Sequence, residues 1–177
     1  SDPTVGVRPT RTPELESLAA DPGTAGGGFG LPVFREDLQA GHSVAIADLD
    51  ADGALDLAVT GYYSDSVGVL KNLGGGTFAA TVPYSTSRLP SSVVAADFDG
   101  DGDIDLATSH PTGNRVSILS NSGNGTFGTG ATQSLDCHPG PQSLVVVDAD
   151  DDGDPDLVAV VLGLLVTFEN DGSGLFT

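Results

Sequence analysis

The sequence predicts an all-β protein built from about three four-stranded antiparallel units. Three observations lead to this prediction. The ten-residue pattern Asp-x-Asp-x-Asp-Gly-x-x-Asp-Leu occurs three times, its copies begin 49 and 51 residues apart, and each copy lies between short apolar runs. A period near 50 residues indicates a repeated supersecondary unit. Each unit is therefore expected to carry one acidic loop between two of its strands.

The first two units each contain four segments with the composition of short β-strands, and the third contains three before the sequence ends. In the first unit they lie at 43–47, 57–60, 67–70 and 78–84. The second unit has them at 92–96, 106–108, 116–119 and 127–135, and the third at 143–147, 157–161 and 164–168. Four short strands in about 50 residues are typical of a β-propeller blade.

An asparagine and a glycine-rich turn precede a phenylalanine in every unit. The turns end at Phe78, Phe127 and Phe176, and the stretch from Gly26 to Phe29 has the same form without its preceding strands. Glycine permits the positive φ angles that tight hairpins need. We interpret the four phenylalanines as residues that pack between blades rather than as ligand-stacking residues.

The chain divides by composition into two parts. Residues 1–25 carry four prolines together with Ser, Thr and Gly, and they are predicted to form an N-terminal arm or linker. Residues 26–177 form the repeat region, with repeats at about 29–78, 79–127 and 128–177. Closed propellers have typically four to eight blades, so three blades are incomplete. The chain is then a piece of a longer propeller, an open arc capped by the arm, or a unit completed by oligomerisation. We hypothesise that the strand 29–38 closes the last blade, either within one chain or between neighbouring copies.

Charge excludes one class of partner and indicates another. The formal net charge is −19, from 25 acidic and six basic residues, which argues against nucleic acid because phosphate binding needs clustered Lys and Arg. Fifteen of the acidic residues lie in the three loops. Carboxylates packed that closely repel one another unless a cation lies among them. No apolar run approaches the roughly 20 residues that span a bilayer.

The acidic loops have the ligand pattern of calcium sites. Ca²⁺ takes six to eight oxygen ligands, and alternate side chains of a tight loop point to one side, so positions 1, 3 and 5 can converge. Glycine at position 6 allows the sharp turn, position 7 offers its carbonyl and the aspartate at position 9 completes the shell. About three Ca²⁺ ions are expected. The predicted ligands are Asp48, Asp50, Asp52, Ala54 and Asp56, then Asp97, Asp99, Asp101, Asp103 and Asp105, then Asp148, Asp150, Asp152, Asp154 and Asp156.

The EF-hand, which opens with the same Asp-x-Asp-x-Asp-Gly, is excluded. It needs a glutamate at position 12 and a helix on each side. Position 12 is Val59, Thr108 or Ala159, and the flanking residues favour strands.

The segments 47–57, 96–106 and 147–157, each followed by Gly-x-Gly-Thr-Phe or a near variant, resemble the FG-GAP/VCBS repeats of integrin-alpha-like β-propellers. The third copy differs at Asp151 and Pro155 but keeps the motif acids. The resemblance implies a calcium site in the first hairpin of each blade, an extracellular or cell-surface setting, and a role in adhesion or ligand recognition.

No catalytic motif accompanies the loops, and we expect a protein that is not an enzyme. His42, His110 and His138 are predicted to be structural or loop residues, and Cys137 a plain buried or loop thiol. The expected partners are a protein or glycan ligand, or copies of the chain itself. The exposed contact elements would be Tyr62 with Tyr63 and the loop from Pro111 to Arg115, although the two tyrosines fit half-buried strand ends equally well. The alternatives are a structural subunit that assembles through its blade edges, and an accessory domain of a larger secreted enzyme.

Overall fold

Strands and turns make up the part of the chain that a computed structural model describes, residues 41–128 and 133–177, and no helix occurs within these ranges. The predicted arm at 1–25, Phe29 and the closing strand at 29–38 lie outside the described residues. The strands are β1 Gly41–Ala47, β2 Asp56–Gly61, β3 Ser66–Leu70, β4 Asn72–Gly74, β5 Thr77–Phe78, β6 Val82–Ser85, β7 Ser92–Ala96, β8 Asp105–His110, β9 Arg115–Leu119, β10 Gln133–Asp136, β11 Ser143–Val147, β12 Asp156–Val161 and β13 Leu164–Phe168.

Three antiparallel sheets follow one another along the chain. Their strand orders are β1-β2-β3-β6, β7-β8-β9-β10 and β11-β12-β13. Sequence neighbours are therefore also neighbours in each sheet, apart from the small β4–β5 hairpin inserted before β6. A four-stranded meander of this kind is the structure of a propeller blade. The predicted all-β fold of blade-type units is confirmed, and the three described sheets form an open array.

The fourth strand of the first sheet starts later than its sequence suggests. The residues predicted as one strand from Phe78 divide between β5, which ends at Phe78, and β6, which begins at Val82. The three glycines 74–76 all have positive φ, so the chain reverses tightly and Phe78 pairs with Asn72 before β6 reaches β3. Pro83 lies in β6, at the edge of its sheet, where its missing N–H costs no ladder hydrogen bond.

The apolar residues form two cores, and each core fills the space between two sheets. One contains Leu49, Val69, Val93 and Phe127 and joins the first sheet to the second. The other contains Phe98, Val116, Leu157 and Phe168 and joins the second sheet to the third, with Phe176 packed against it. Phe127 and Phe176 make edge-to-face contacts with Tyr84 and Phe98, at ring-centroid distances of 5.2 and 5.6 Å. Their predicted packing between blades is confirmed.

Repeated hydrogen bonds join the innermost strands of successive sheets. β1 contacts β7, and β7 contacts β11. The Ser43 hydroxyl in β1 accepts the Val93 backbone N–H at 3.2 Å, and the Ser92 hydroxyl in β7 accepts the Leu144 backbone N–H at 3.2 Å. The same serine position thus links each inner strand to the next one.

A buried asparagine makes a second repeated link between sheets. The side-chain amide of Asn121 donates to the Leu49 carbonyl of the preceding acidic loop at 2.8 Å and to the Ile104 carbonyl of its own loop at 2.9 Å. Asn170 makes the equivalent bonds to Phe98 at 2.8 Å and to Pro155 at 3.1 Å. Both are at least nine-tenths buried, so these bonds lie in the cores between the sheets.

Replacing Asn121 by alanine is predicted to destabilise the protein by about 2 kcal/mol or more, because it leaves two carbonyls and the N–H groups of Gly123 and Gly125 without their partner. Urea unfolding followed by circular dichroism measures the loss. The matched control is Asn72→Ala. Among the described residues the Asn72 side chain bonds the Leu55 carbonyl of its own loop and the Gly74 N–H, both in exposed positions and both within the first repeat. Equal losses for the two variants would contradict the importance of the link between sheets.

Candidate metal centres

Each acidic loop is shaped by two residues with left-handed backbone conformation. Position 6 is Gly53, Gly102 or Gly153, with φ of 87°, 94° and 98°. Position 4 is also left-handed, with φ of 59° at Ala51 and 65° at Asp151. Non-glycine residues rarely adopt this conformation, so the loop pattern holds them there. The glycine at position 6 was predicted, whereas the conformation at position 4 was not.

Three carboxylates converge in every loop. One oxygen from each of three aspartates lies within 4.8 Å of the others, and all three groups face the same end of their sheets, between the first two strands. The groups are Asp48, Asp50 and Asp56 in the first loop, Asp97, Asp99 and Asp101 in the second, and Asp148, Asp150 and Asp156 in the third. Nine of the predicted ligands are thus brought together, three in each loop.

The aspartate at position 9 is built into the fold. Asp56 is fully buried, and its two carboxylate oxygens accept the backbone N–H groups of Leu49 at 3.1 Å and Asn72 at 2.7 Å. Asp105 accepts those of Phe98 and Asn121, and Asp156 those of Ala149 and Asn170. Each position-9 aspartate therefore ties its loop to the asparagine two residues after the third strand of its sheet.

The remaining predicted ligands have other partners. Asp52 accepts the Ala54 N–H at 2.8 Å, and Asp152 accepts the Asp154 N–H at 2.9 Å, which curls each loop around position 6. Asp52, Asp105 and Asp152 lie outside the converging groups, as do the side chains of Asp103 and Asp154. Their role as ligands, and that of the Ala54, Asp103 and Asp154 carbonyls, stays a prediction.

The electrostatics of the second loop disfavour its charged form without a counter-charge. Burial and the charges of Asp101 and Asp97 raise the pKa of Asp99. Burial above all, together with the charges of Asp99 and Asp101, raises the pKa of Asp105 to about 6, although two backbone N–H groups oppose the shift. A divalent cation among these oxygens would reverse the repulsion that the neighbouring charges contribute.

The first loop contains an unsatisfied oxygen. Asp50 Oδ2 forms an ion pair with Lys71 Nζ at 3.0 Å, while Asp50 Oδ1 is buried and has no hydrogen-bond partner. A buried carboxylate oxygen without a donor is costly, and a bound cation would satisfy it. The residues present therefore fit a hard cation coordinated by oxygen atoms.

The sequence reasoning missed the asparagines as site residues. The position-9 carboxylates accept hydrogen bonds from the backbone N–H groups of Asn72, Asn121 and Asn170. The side chains of Asn121 and Asn170 also donate to the preceding acidic loop. Their recurrence at 14 or 16 residues after position 9 was the available signal.

The opposite end of the first sheet carries an aromatic cluster. The Tyr62 ring stacks on the His42 ring at a centroid distance of 4.3 Å and an interplanar angle of 12°. Tyr63 meets Tyr62 edge to face and is 70% exposed, whereas Tyr62 is half-buried. Tyr62 is thus the half-buried residue of the pair and Tyr63 the exposed one, and a contact role for Tyr63 stays a prediction.

His110 is fully buried and its ring is held on both sides. The Arg88 carbonyl accepts a hydrogen bond from Nδ1 at 3.2 Å, so Nε2 is the acceptor for the Thr108 hydroxyl at 2.9 Å. Burial lowers the pKa of His110 to about 4, and the Arg115 charge acts in the same direction. The predicted structural role of His110 is confirmed.

Cys137 is also confirmed as a buried thiol, and its burial raises its pKa.

Acid is predicted to destabilise the protein through His110. The folded pKa of about 4 lies below the ordinary value of 6.5, so the unfolded state takes up the proton first. The contribution is complete above about pH 6.5 and is lost as the pH falls toward 4, by about 3 kcal/mol in all. Urea unfolding of wild type and His110→Gln between pH 7 and 4 isolates this term. A constant difference between the two proteins across that range would contradict it.

Comparisons with known proteins agree with this geometry. Residues 48–108 and 108–159 match the family model of the FG-GAP-like repeat. A solved structure of an Agrocybe aegerita lectin, described as recognising non-reducing terminal N-acetylglucosamine, is similar in fold, with a TM-score of 0.56 at 24% identity. That match covers 75% of this chain and 35% of the lectin chain, so this chain spans about a third of the lectin's length. No curated protein matches the sequence. Because the repeat matches cover more than half of its residues, the chain belongs to the FG-GAP-like repeat family.

Proposed function

We propose that the chain is a calcium-binding, β-propeller-type module of an extracellular protein, and that it recognises a glycan or protein ligand without catalysing a reaction. The observation that carries the proposal is the convergence of three carboxylate oxygens within 4.8 Å in each of three equivalent loops.

Calcium is the cation that the loops fit best. All the side chains in the three groups offer carboxylate oxygen, which suits hard cations rather than the softer metals that favour His and Cys. Mg²⁺ requires strict octahedral geometry and retains its water molecules, whereas Ca²⁺ accepts irregular shells of six to eight oxygens. Extracellular modules bind Ca²⁺ with dissociation constants of about 10⁻⁴ to 10⁻³ M, so a secreted setting would fill even weak sites.

Ligand recognition is supported by the end of the sheets that is opposite the acidic loops. Tyr63 is exposed there beside the stacked His42 and Tyr62 rings, and exposed aromatic residues anchor binding interfaces. The similar fold belongs to a lectin. Among the described residues, the three histidines lie in the aromatic stack, in the core and in a surface loop, which supports a role other than catalysis. No described helix is long and apolar enough to cross a bilayer.

Calcium is predicted to stabilise the fold by mass action. At 2 mM, CaCl₂ exceeds dissociation constants of about 10⁻⁴ to 10⁻³ M by about 2- to 20-fold, which adds about 0.6 to 1.8 kcal/mol per site. The melting temperature should therefore be higher in 2 mM CaCl₂ than in EDTA, and MgCl₂ should raise it less. Differential scanning calorimetry measures both shifts. An unchanged melting temperature would contradict calcium binding.

A substitution in the second loop separates binding from folding. Asp99→Asn removes one of the three converging carboxylates and also part of the repulsion around it. We expect the variant to be at least as stable as wild type in EDTA but to gain about a third less from calcium. The matched control is Asp136→Asn, an exposed aspartate outside the three groups, which should gain as much as wild type.

A second candidate function, self-assembly through blade edges, is supported by positions that the repeat leaves open. Ser143 holds the place of Ser43 and Ser92 but is exposed in the third sheet. Among the described residues, the Asn72 side chain bonds Leu55 and Gly74 of its own repeat and no preceding loop. Large apolar residues are exposed on the same two sheets: Val44 and Ile46 on the first, and Val145, Leu162, Leu164 and Leu165 on the third. A second copy would cover both sets with the contacts that already join the described sheets.

Self-association is predicted to require the apolar residues of the third sheet. Light scattering of the wild type in calcium should give a mass above that of one 17.7 kDa chain, and Leu165→Lys should lower it because Leu165 is 73% exposed. Ser134→Lys, an exposed change in the second sheet and outside the exposed apolar sets, is the control. A mass of one chain for a folded wild type would contradict assembly while leaving the calcium proposal intact.

A further inference from the structure

A cleft of about 570 Å³ lies at the end of the second sheet that is opposite its acidic loop. The β6–β7 loop supplies one wall, with Thr86, Ser87, Arg88 and Leu89, and the β8–β9 turn supplies the other, with Thr112 and Arg115 nearby. Strand β8 separates the two ends, with Asp105 at its start and His110 at its finish. Six residues of extended chain correspond to about 20 Å. The cleft is therefore distinct from the candidate metal centres.

The cleft concentrates positive charge on a strongly acidic protein. Lys71, Arg88 and Arg115 are the basic residues of the described ranges, and two of the three line this cleft. Lys71 is at the other end of the sheets, paired with Asp50. Within the described residues neither arginine forms an ion pair, although Asp136 lies opposite Arg115 in the β9–β10 register. On a chain with a net charge of −19, two arginines that line one cleft and form no ion pair within the described residues indicate a place for an anionic ligand.

The wall that carries Arg88 is held in place before any ligand arrives. Asp65 binds the loop twice, since its carbonyl accepts the Thr86 N–H and its carboxylate accepts the Leu89 N–H, each at 2.9 Å. The buried His110 ring donates to the Arg88 carbonyl. Leu89 has a φ of 52°, a strained conformation for a residue with a branched side chain. Strain retained by surrounding hydrogen bonds is common in binding loops, where it presets geometry.

The rest of the lining suits a sugar ring. Thr86, Ser87 and Thr112 offer hydroxyl groups, Leu89 offers apolar surface, and a volume of 570 Å³ falls in the range of small-molecule pockets. The Arg115 side chain is oriented by a hydrogen bond from Nε to the Gly113 carbonyl at 3.1 Å, which leaves its terminal nitrogens as donors.

We propose that this cleft binds an acidic sugar, with the carboxylate of the sugar held by Arg88 and Arg115 and its hydroxyl groups bound by the threonine and serine side chains. The proposal rests on the proposed role in ligand recognition and names the chemical class of the ligand.

The test compares two probes that differ only in the carboxylate, methyl β-D-glucuronide and methyl β-D-glucoside, by calorimetric titration in saturating calcium. We expect the glucuronide to bind at least tenfold more tightly, because a charge-assisted hydrogen bond contributes more than a neutral one. The preference should shrink when NaCl is raised from 50 to 500 mM, because the attraction is screened. Equal affinity for the two probes, or no binding of the glucuronide, would overturn the proposal.

The variants Arg88→Gln and Arg115→Gln should each weaken glucuronide binding about tenfold. Lys71→Gln is the matched control, since it removes the same charge at the opposite end of the sheets and should leave the affinity unchanged. Arg88 is exposed and contacts His110 through its backbone, so Arg88→Gln should keep the wild-type melting temperature. Full affinity in the folded Arg88→Gln protein would refute the site. Binding of a neutral glycan or a protein ligand whose affinity is unchanged by both arginine substitutions would also refute the site. That result would still support the proposed role in ligand recognition.

Discussion

The buried aspartate at the base of each acidic loop is the constraint on which the rest of the structure depends. Its two oxygens accept one N–H from the loop and one from the asparagine two residues after the third strand, in all three units. A carboxylate bonded in this way holds the two segments firmly in one orientation, because charged acceptors bind backbone donors tightly. It fixes where the loop leaves the sheet, and it thereby fixes where the aspartates at positions 1 and 3 meet.

The buried carboxylate has an electrostatic cost, which accounts for the different chemistry at the two ends of the sheets. Holding a carboxylate in the core among other carboxylates raises the pKa of Asp105 and opposes folding of the charged form. A cation bound at the loop would offset this cost. The opposite end of the sheets is built from serine and threonine hydroxyls, aromatic rings and two arginines, which together provide contacts that the acidic end lacks.

Much of the fold followed from the sequence because its signals are local and repeated. The period of the aspartate pattern and the short apolar runs located the strands, and β7, β11 and β13 have the predicted bounds. The glycine turn before Phe78 was predicted, but the break between Phe78 and Val82 was missed, because Phe78 pairs back across that turn with Asn72 instead of continuing into β6. The Asn121 and Asn170 links, the Arg88–Arg115 cleft and the anchoring of His110 depend on contacts between residues far apart in the chain, which no local pattern encodes.

The asparagine side chain that bonds to the preceding loop couples the structure of neighbouring repeats. Asn121 holds the Leu49 carbonyl and Asn170 holds the Phe98 carbonyl, so a loop that loses its shape also removes an acceptor from the next sheet. Linear repeat arrays owe much of their cooperativity to such nearest-neighbour terms. Ion occupancy in one unit would accordingly alter the affinity of the adjacent unit, and the array would respond to calcium more steeply than independent sites do.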